Sequence, residues 1–176
     1  MKRKVQKKLF ELCFGEGFAV VYFPILWIWS IDLLEWTKPY LMSIPSLFAF
    51  ALLEFLLLQG SLYWYLKYKR VKQNSCSDLS PQIIRLFLLF KRLNLMLVGA
   101  GFLIFIYQIQ NKSLDLMLYI FLYVFAVIEY INYYHIRLSY LSIEEIKLLM
   151  RQRGPRSSLL AKELRRSRGI IQDSSC

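Results

Sequence analysis

The sequence predicts an all-α membrane protein, a four-transmembrane-helix bundle of two helical hairpins with a cytoplasmic amphipathic helical tail. Three observations predict it. Of 176 residues, 57% are hydrophobic, above the roughly 45–50% of an ordinary globular domain. The apolar residues gather in four long runs with the charges between them, as a bilayer requires. The charge is also lopsided: 23 Lys+Arg against 12 Asp+Glu, a net +11. Those cations fall almost entirely in alternate connecting segments.

The first run covers residues 18–36 and follows the basic Met1-Lys2-Arg3-Lys4. It resembles a signal peptide only at its start, being too long and lacking a small-x-small cleavage site. A retained helix is expected, bent at Pro24. Asp32 and Glu35 share a face near its end and read as a solvated helix terminus, with Lys38 nearby. Pro39 and Pro45 punctuate a short connection to the second run, residues 46–66, which contains the isolated Glu54. A polar linker follows, from Lys67 to Pro81. The third run starts ambiguously: residues 82–92 read as an amphipathic lead-in with Arg85, Lys91 and Arg92, and residues 93–109 as the charge-free span. Gly99-Ala100-Gly101 lies within that span and suits close approach of a neighbouring helix. After a very short loop the fourth run covers residues 114–134, with Asp115 at its start and Glu129 deep in its second half. Residues 1–138 thus form the transmembrane domain and 139–176 a basic tail.

With the N-terminus inside, 21 Lys and Arg fall on the cytoplasmic side and only Lys38 and Lys112 outside. This predicts a multi-pass protein of the cell (inner, cytoplasmic) membrane with both termini cytoplasmic. Tyr and Trp clusters at the span ends fit headgroup-level belts. Strong basicity also suits nucleic acid, but these cations flank hydrophobic spans, so anionic lipid headgroups are the expected partner and nucleic acid is not. Cys13, Cys76 and Cys176 lack CxxC spacing and read as free thiols.

Ionisable groups inside a membrane are costly, so each is a candidate site. Glu129 and Asn132 share a helical face. The antiparallel third span should bring Arg92 and Asn94 to the same depth, making a Glu129 pair with Arg92 or Lys91 reasonable. Together with Glu54 these residues form the expected intramembrane polar site, read either as a functional pocket or as a pair that locks helix register. Nothing catalytic is read at Glu16, between Gly15 and Gly17. His135 is the only histidine, and one histidine without other ligands makes no zinc site. Neither a metal nor a cofactor is expected. There is no GxGxxG, GxSxG, HExxH or P-loop, and no convincing protease set, so an enzyme is the weaker expectation.

In the tail, Ser142-Ile143-Glu144-Glu145 has the capping-box form and should open a short helix. A second helix near Ser157–Arg168 has Leu159, Leu160 and Leu164 on one side and Lys162, Arg165, Arg166 and Arg168 on the other. It is expected to lie on anionic headgroups or to dock on a partner.

The stretch from Glu129 to His135 (EYINYYH), then Arg137-Leu138-Ser139-Tyr140 and later Ser158 to Leu164 (SLLAKEL), resembles a family of small bacterial membrane proteins often labelled "general stress protein". The resemblance is clearest over the last span and tail. It implies a bacterial inner-membrane location and no known reaction or ligand. The functional expectation is a regulatory or accessory membrane protein. The alternatives are a small oligomeric transporter or channel component using Glu54 and Glu129, or a membrane-embedded enzyme acting on lipid.

Overall fold

The structure, a computed structural model, describes residues 2–73, 80–111, 114–136 and 158–165. The capping-box helix expected from Ser142, Cys76, Cys176, Arg166 and Arg168 lie outside the described residues. All named elements are helices: α1 (Lys2–Leu33), a 3₁₀ turn (Glu35–Thr37), the one-turn α2 (Lys38–Leu41), α3 (Ile44–Lys72), α4 (Pro81–Gln110) and α5 (Leu116–Tyr134). Residues 159–165 are also helical. Four helices are long and apolar enough to cross a membrane, over Leu9–Leu33, Ile44–Lys72, Pro81–Gln110 and Leu116–Tyr134.

The helices extend past the expected spans where charge begins, because a helix satisfies its own backbone at any depth. The lead-in to the third span is therefore no separate element: Pro81 sits in the first turn and one 30-residue helix runs to Gln110. Likewise α3 has 29 residues, about 44 Å at 1.5 Å per residue, against a hydrocarbon core of about 30 Å. The first helix differs from the expected run at both ends. Helix α1 begins at Lys2, well before residue 18, and stops at Leu33, just past Asp32, so Glu35 and Trp36 fall in the 3₁₀ turn that follows. The helix continues unbroken through Pro24. At the next helix start Ser43 is the N-cap of α3, its Oγ accepting from Ser46 N at 3.3 Å.

Helix α3 is the axis of the bundle. It carries the core residues Ala49, Leu52, Leu53, Leu56, Leu57 and Tyr63. α1 packs along one side of it and α5 along another, while α4 leans on α5. The opposite faces show large apolar side chains outward, among them Phe14, Trp29, Leu95, Met96, Leu103, Met117 and Phe121. Such a surface suits lipid tails rather than water. Antiparallel packing puts the start of α1, the end of α3, the start of α4 and the end of α5 at one end, here called the basic end. At the opposite, hairpin end, Asp115 accepts from Ser43 Oγ and from Gln108 Nε2 (2.9 Å), tying the two hairpins together.

Within the Gly99-Ala100-Gly101 stretch only Gly101 makes the close approach. The Tyr123 ring lies where its Cβ would be, and nothing lies near Gly99. The Tyr119 hydroxyl donates to Gly101 O (2.6 Å) and the Tyr123 hydroxyl to Val98 O (2.7 Å), so two tyrosines of α5 clasp the α4 backbone. Gly101→Ala is expected to lower stability by about 1–3 kcal/mol through overpacking. Gly99→Ala should instead be neutral or raise stability by up to about 1 kcal/mol, the helix-propensity difference. Thermal unfolding of both variants in one detergent checks the contrast.

Candidate functional site

The residues of α5 near its end divide between two faces, as a 3.6-residue repeat demands. Tyr130 and Tyr134 face α4; Glu129, Asn132 and Tyr133 face α1 and α3. Two polar clusters result.

On the α4 side, Asn94 and Gln59 exchange amide hydrogen bonds, Asn94 Nδ2 to Gln59 Oε1 at 2.7 Å and Gln59 Nε2 to Asn94 Oδ1 at 3.3 Å. The Tyr134 hydroxyl donates to the same Gln59 oxygen at 2.6 Å. All three residues are buried. Buried amides need partners, and here they supply them to one another. Lys91 Nζ donates to Tyr134 O at 3.4 Å.

On the α1–α3 side, Glu16 meets α5. The Trp64 indole donates to Glu16 Oε1 at 2.9 Å. The Tyr133 hydroxyl lies against both the Glu16 and the Glu129 carboxylates, yet Glu16 Oε2 is buried without a well-formed hydrogen bond. Asn132 Nδ2 donates to Glu129 Oε2 at 3.3 Å. Gly60 of α3 makes the approach possible, since its missing Cβ would fall on Tyr133 and Glu16. A cavity of about 30 Å³ adjoins the cluster, with Glu16, Tyr63, Trp64, Asn132, Tyr133 and Ser158 in its wall.

Of the expected site residues, then, Glu129 and Asn132 come together and the other three do not join them. Asn94 belongs to the Gln59–Tyr134 network. Arg92 is exposed on α4, so the Glu129–Arg92 pair is corrected: α1 and α3, not α4, cover the Glu129 face. Glu54 sits six residues from Gly60, about 9 Å along α3, half-buried with Oε1 unpartnered. Glu16 is the residue that sequence reasoning passed over. The signal was present: a carboxylate inside an apolar helix is costly wherever it lies. Starting the run at residue 18 left Glu16 outside it, whereas α1 runs without a break through Glu16 to Leu33.

The tail helix is seated over this cluster. Ser158 N donates to His135 O at 3.2 Å, and Ser158 Oγ donates to Tyr133 O. The same Ser158 Oγ accepts from Ala161 N (3.0 Å) as a helix cap. Leu160 and Leu164 are buried in the bundle core, and Lys67 pairs with Glu163 where both are largely covered. The expected apolar side is thereby divided, for Leu159 remains exposed. Lys162 and Arg165 point outward.

His135 lies at the edge of this seat, 5.4 Å from the Tyr130 ring. Partial burial first, and then Lys91 and Arg165, hold its imidazole below the ordinary value of 6.5. A histidine whose folded pKa is depressed takes up fewer protons folded than unfolded, so its contribution is present above the unfolded pKa and is lost as pH falls below it. Protease protection of the tail should therefore decline from about pH 7 to about pH 5, and His135→Gln should flatten that decline.

Among the described residues no three His, Cys, Asp or Glu side chains gather as a metal site. A second void, about 400 Å³, opens between α1, α3 and α5 toward the hairpin end, with Phe23, Trp27, Ser30, Phe50 and Phe125 in its wall; it contains neither Glu54 nor Glu129. The fold is an all-α bundle with four helices long and apolar enough to cross a membrane, and its carboxylate cluster lies on two of those helices beneath the seated tail. No family model, curated protein or solved structure matches the chain.

Proposed function

We propose that this chain is an integral protein of the bacterial cytoplasmic membrane that acts as a regulatory or accessory subunit through its docked tail. The basic end, with both termini, faces the cytoplasm, following the distribution of Lys and Arg. The observation that carries the reading is the seat of residues 158–165. Leu160 and Leu164 join the core and Lys67 pairs with Glu163, so the tail is held by the bundle instead of lying loosely on a surface. Its outward Lys162 and Arg165 then form a positioned cationic face for anionic headgroups or an acidic subunit. The tail's anchor points, Tyr133 O and His135 O, lie on the same turn as Asn132 and the Tyr133 hydroxyl that faces the two carboxylates. Intramembrane site and cytoplasmic face are thereby mechanically joined.

The transporter reading has less support. Glu54 and Glu129 sit at different levels, and buried Leu56 and Leu57 fill the α3 core between them. The lipid-enzyme reading lacks a carboxylate in the wide lateral void.

Native membranes provide the test. Cysteines placed at Lys72 and Asn111 should react with an impermeant reagent from opposite sides. Extraction in mild detergent should show a complex heavier than the chain alone, and Leu160→Asp with Leu164→Asp should dissolve it while the bundle remains folded. An unaltered chain that is extracted alone overturns the proposal, as does a complex that survives both changes.

A further inference from the structure

We infer that the small cavity between Glu16, Tyr63, Asn132 and Tyr133 binds one sodium-sized monovalent cation. The site stands on the cavity and does not depend on the accessory role. Four observations converge on it. The cavity volume, about 30 Å³, holds one or two water-sized ligands, a single water needing about 10–15 Å³ of such space. It is bordered by an oxygen that lacks a partner, Glu16 Oε2. Tyr63 also lines it, is only 1% exposed, and has a hydroxyl with no hydrogen-bond partner, a buried polar group that a ligand in the cavity would satisfy. Finally, two carboxylates, Glu16 and Glu129, converge on one Tyr133 hydroxyl. Among the described residues neither forms an ion pair with Lys or Arg. Two buried carboxyls without a cationic partner must either keep their protons or be compensated by a cation, and the oxygens around the cavity provide for the second.

The donor set selects the ion. Carboxylate, phenol, amide and hydroxyl oxygens are hard ligands, which suit alkali and alkaline-earth cations and not soft metals. A divalent ion needs six or more oxygens, or several retained waters, and so small a cavity has no room for them. The Trp64 indole already occupies Glu16 Oε1 and so leaves Oε2 for the ion. Ser158, Leu159 and Leu160 of the tail form part of the cavity wall, so an ion held there favours the docked tail.

The experiment uses the full chain in detergent, with sodium chloride titrated against choline chloride at constant ionic strength and constant pH. Sodium is expected to raise the melting temperature saturably where choline does not, and to increase protease protection of the tail. Glu16→Gln should abolish the sodium response, while Glu11→Gln, on the exposed surface of the same helix, should keep it. If Glu16→Gln does not fold, Tyr63→Phe serves, since it removes only a hydroxyl; it should raise the half-saturating sodium concentration about tenfold. Equal responses to sodium and choline overturn the inference. So does stabilisation by acid with sodium inert, in which case the carboxylate simply carries its own proton. A sodium response unchanged in Glu16→Gln and in Tyr63→Phe overturns it as well.

Discussion

Gly60→Val is expected to remove most of the folded protein from detergent extracts, and Gly60→Ala to lower its stability by about 1–3 kcal/mol. At this point α3 has no side chain, and the Tyr133 ring, its hydroxyl and Glu16 Oε2 occupy the space. A methyl group there cannot be met by a swing of Tyr133 into open volume, because the residue is buried and its own carbonyl is held by Ser158. The helices must separate, and separation weakens the Trp64–Glu16 bond as well. Valine adds two further carbons to the same collision. Tyr133→Leu, combined with Gly60→Ala, should recover part of the loss, so the pair is less harmful together than the sum of its singles. Gly15→Ala is the control: nothing surrounds that position, and the helix should gain from alanine. Thermal unfolding and detergent yield across the set measure these effects.

Asn94→Leu is expected to cost about 1–3 kcal/mol, toward the lower end if the network behaves like other interhelical hydrogen bonds in membranes. The change leaves the Gln59 amide buried without the Asn94 oxygen that accepts from it. Gln59→Leu should be at least as harmful, since it strands both Asn94 and the Tyr134 hydroxyl. Replacing all three, Gln59→Leu with Asn94→Leu and Tyr134→Phe, removes every polar atom of the network and should recover much of the loss. The asymmetry arises because an apolar core of the same shape costs little, whereas a half-satisfied amide costs its full desolvation. A cycle of single, double and triple variants, read by thermal unfolding, checks it. Strictly additive losses would show that the three groups do not act as one network.

These two positions show how unevenly the sequence disclosed the molecule. Asn94 and Glu129 stand out in the sequence as polar groups in apolar runs, and their helical faces follow from the 3.6 period. Which neighbour each face meets depends on helix arrangement. The expectation that α4 would cover Glu129 followed from its being the antiparallel partner of α5 in the same hairpin. In the structure α4 takes the Tyr134 face, and α1, distant in sequence, supplies Glu16 to the other. Gly60 gave no warning, since a glycine inside an apolar run has the same appearance whether it faces lipid or a tyrosine ring. Gly99 and Gly101 make the same point two residues apart.

What the sequence by itself determined is the class: four apolar stretches of spanning length, separated by basic segments, force a helical membrane protein, because only helices or closed barrels satisfy the backbone in lipid. That argument is local and needs no knowledge of contacts. Tertiary structure alone decided the site and the fate of the tail. Each of these depends on which helix faces which, and lipid exerts no hydrophobic force that would reveal the buried face in the pattern of apolar residues. Inside a membrane, apolar residues point both inward and outward. The face that matters is marked only by close fits and by the few polar atoms that find one another across helices.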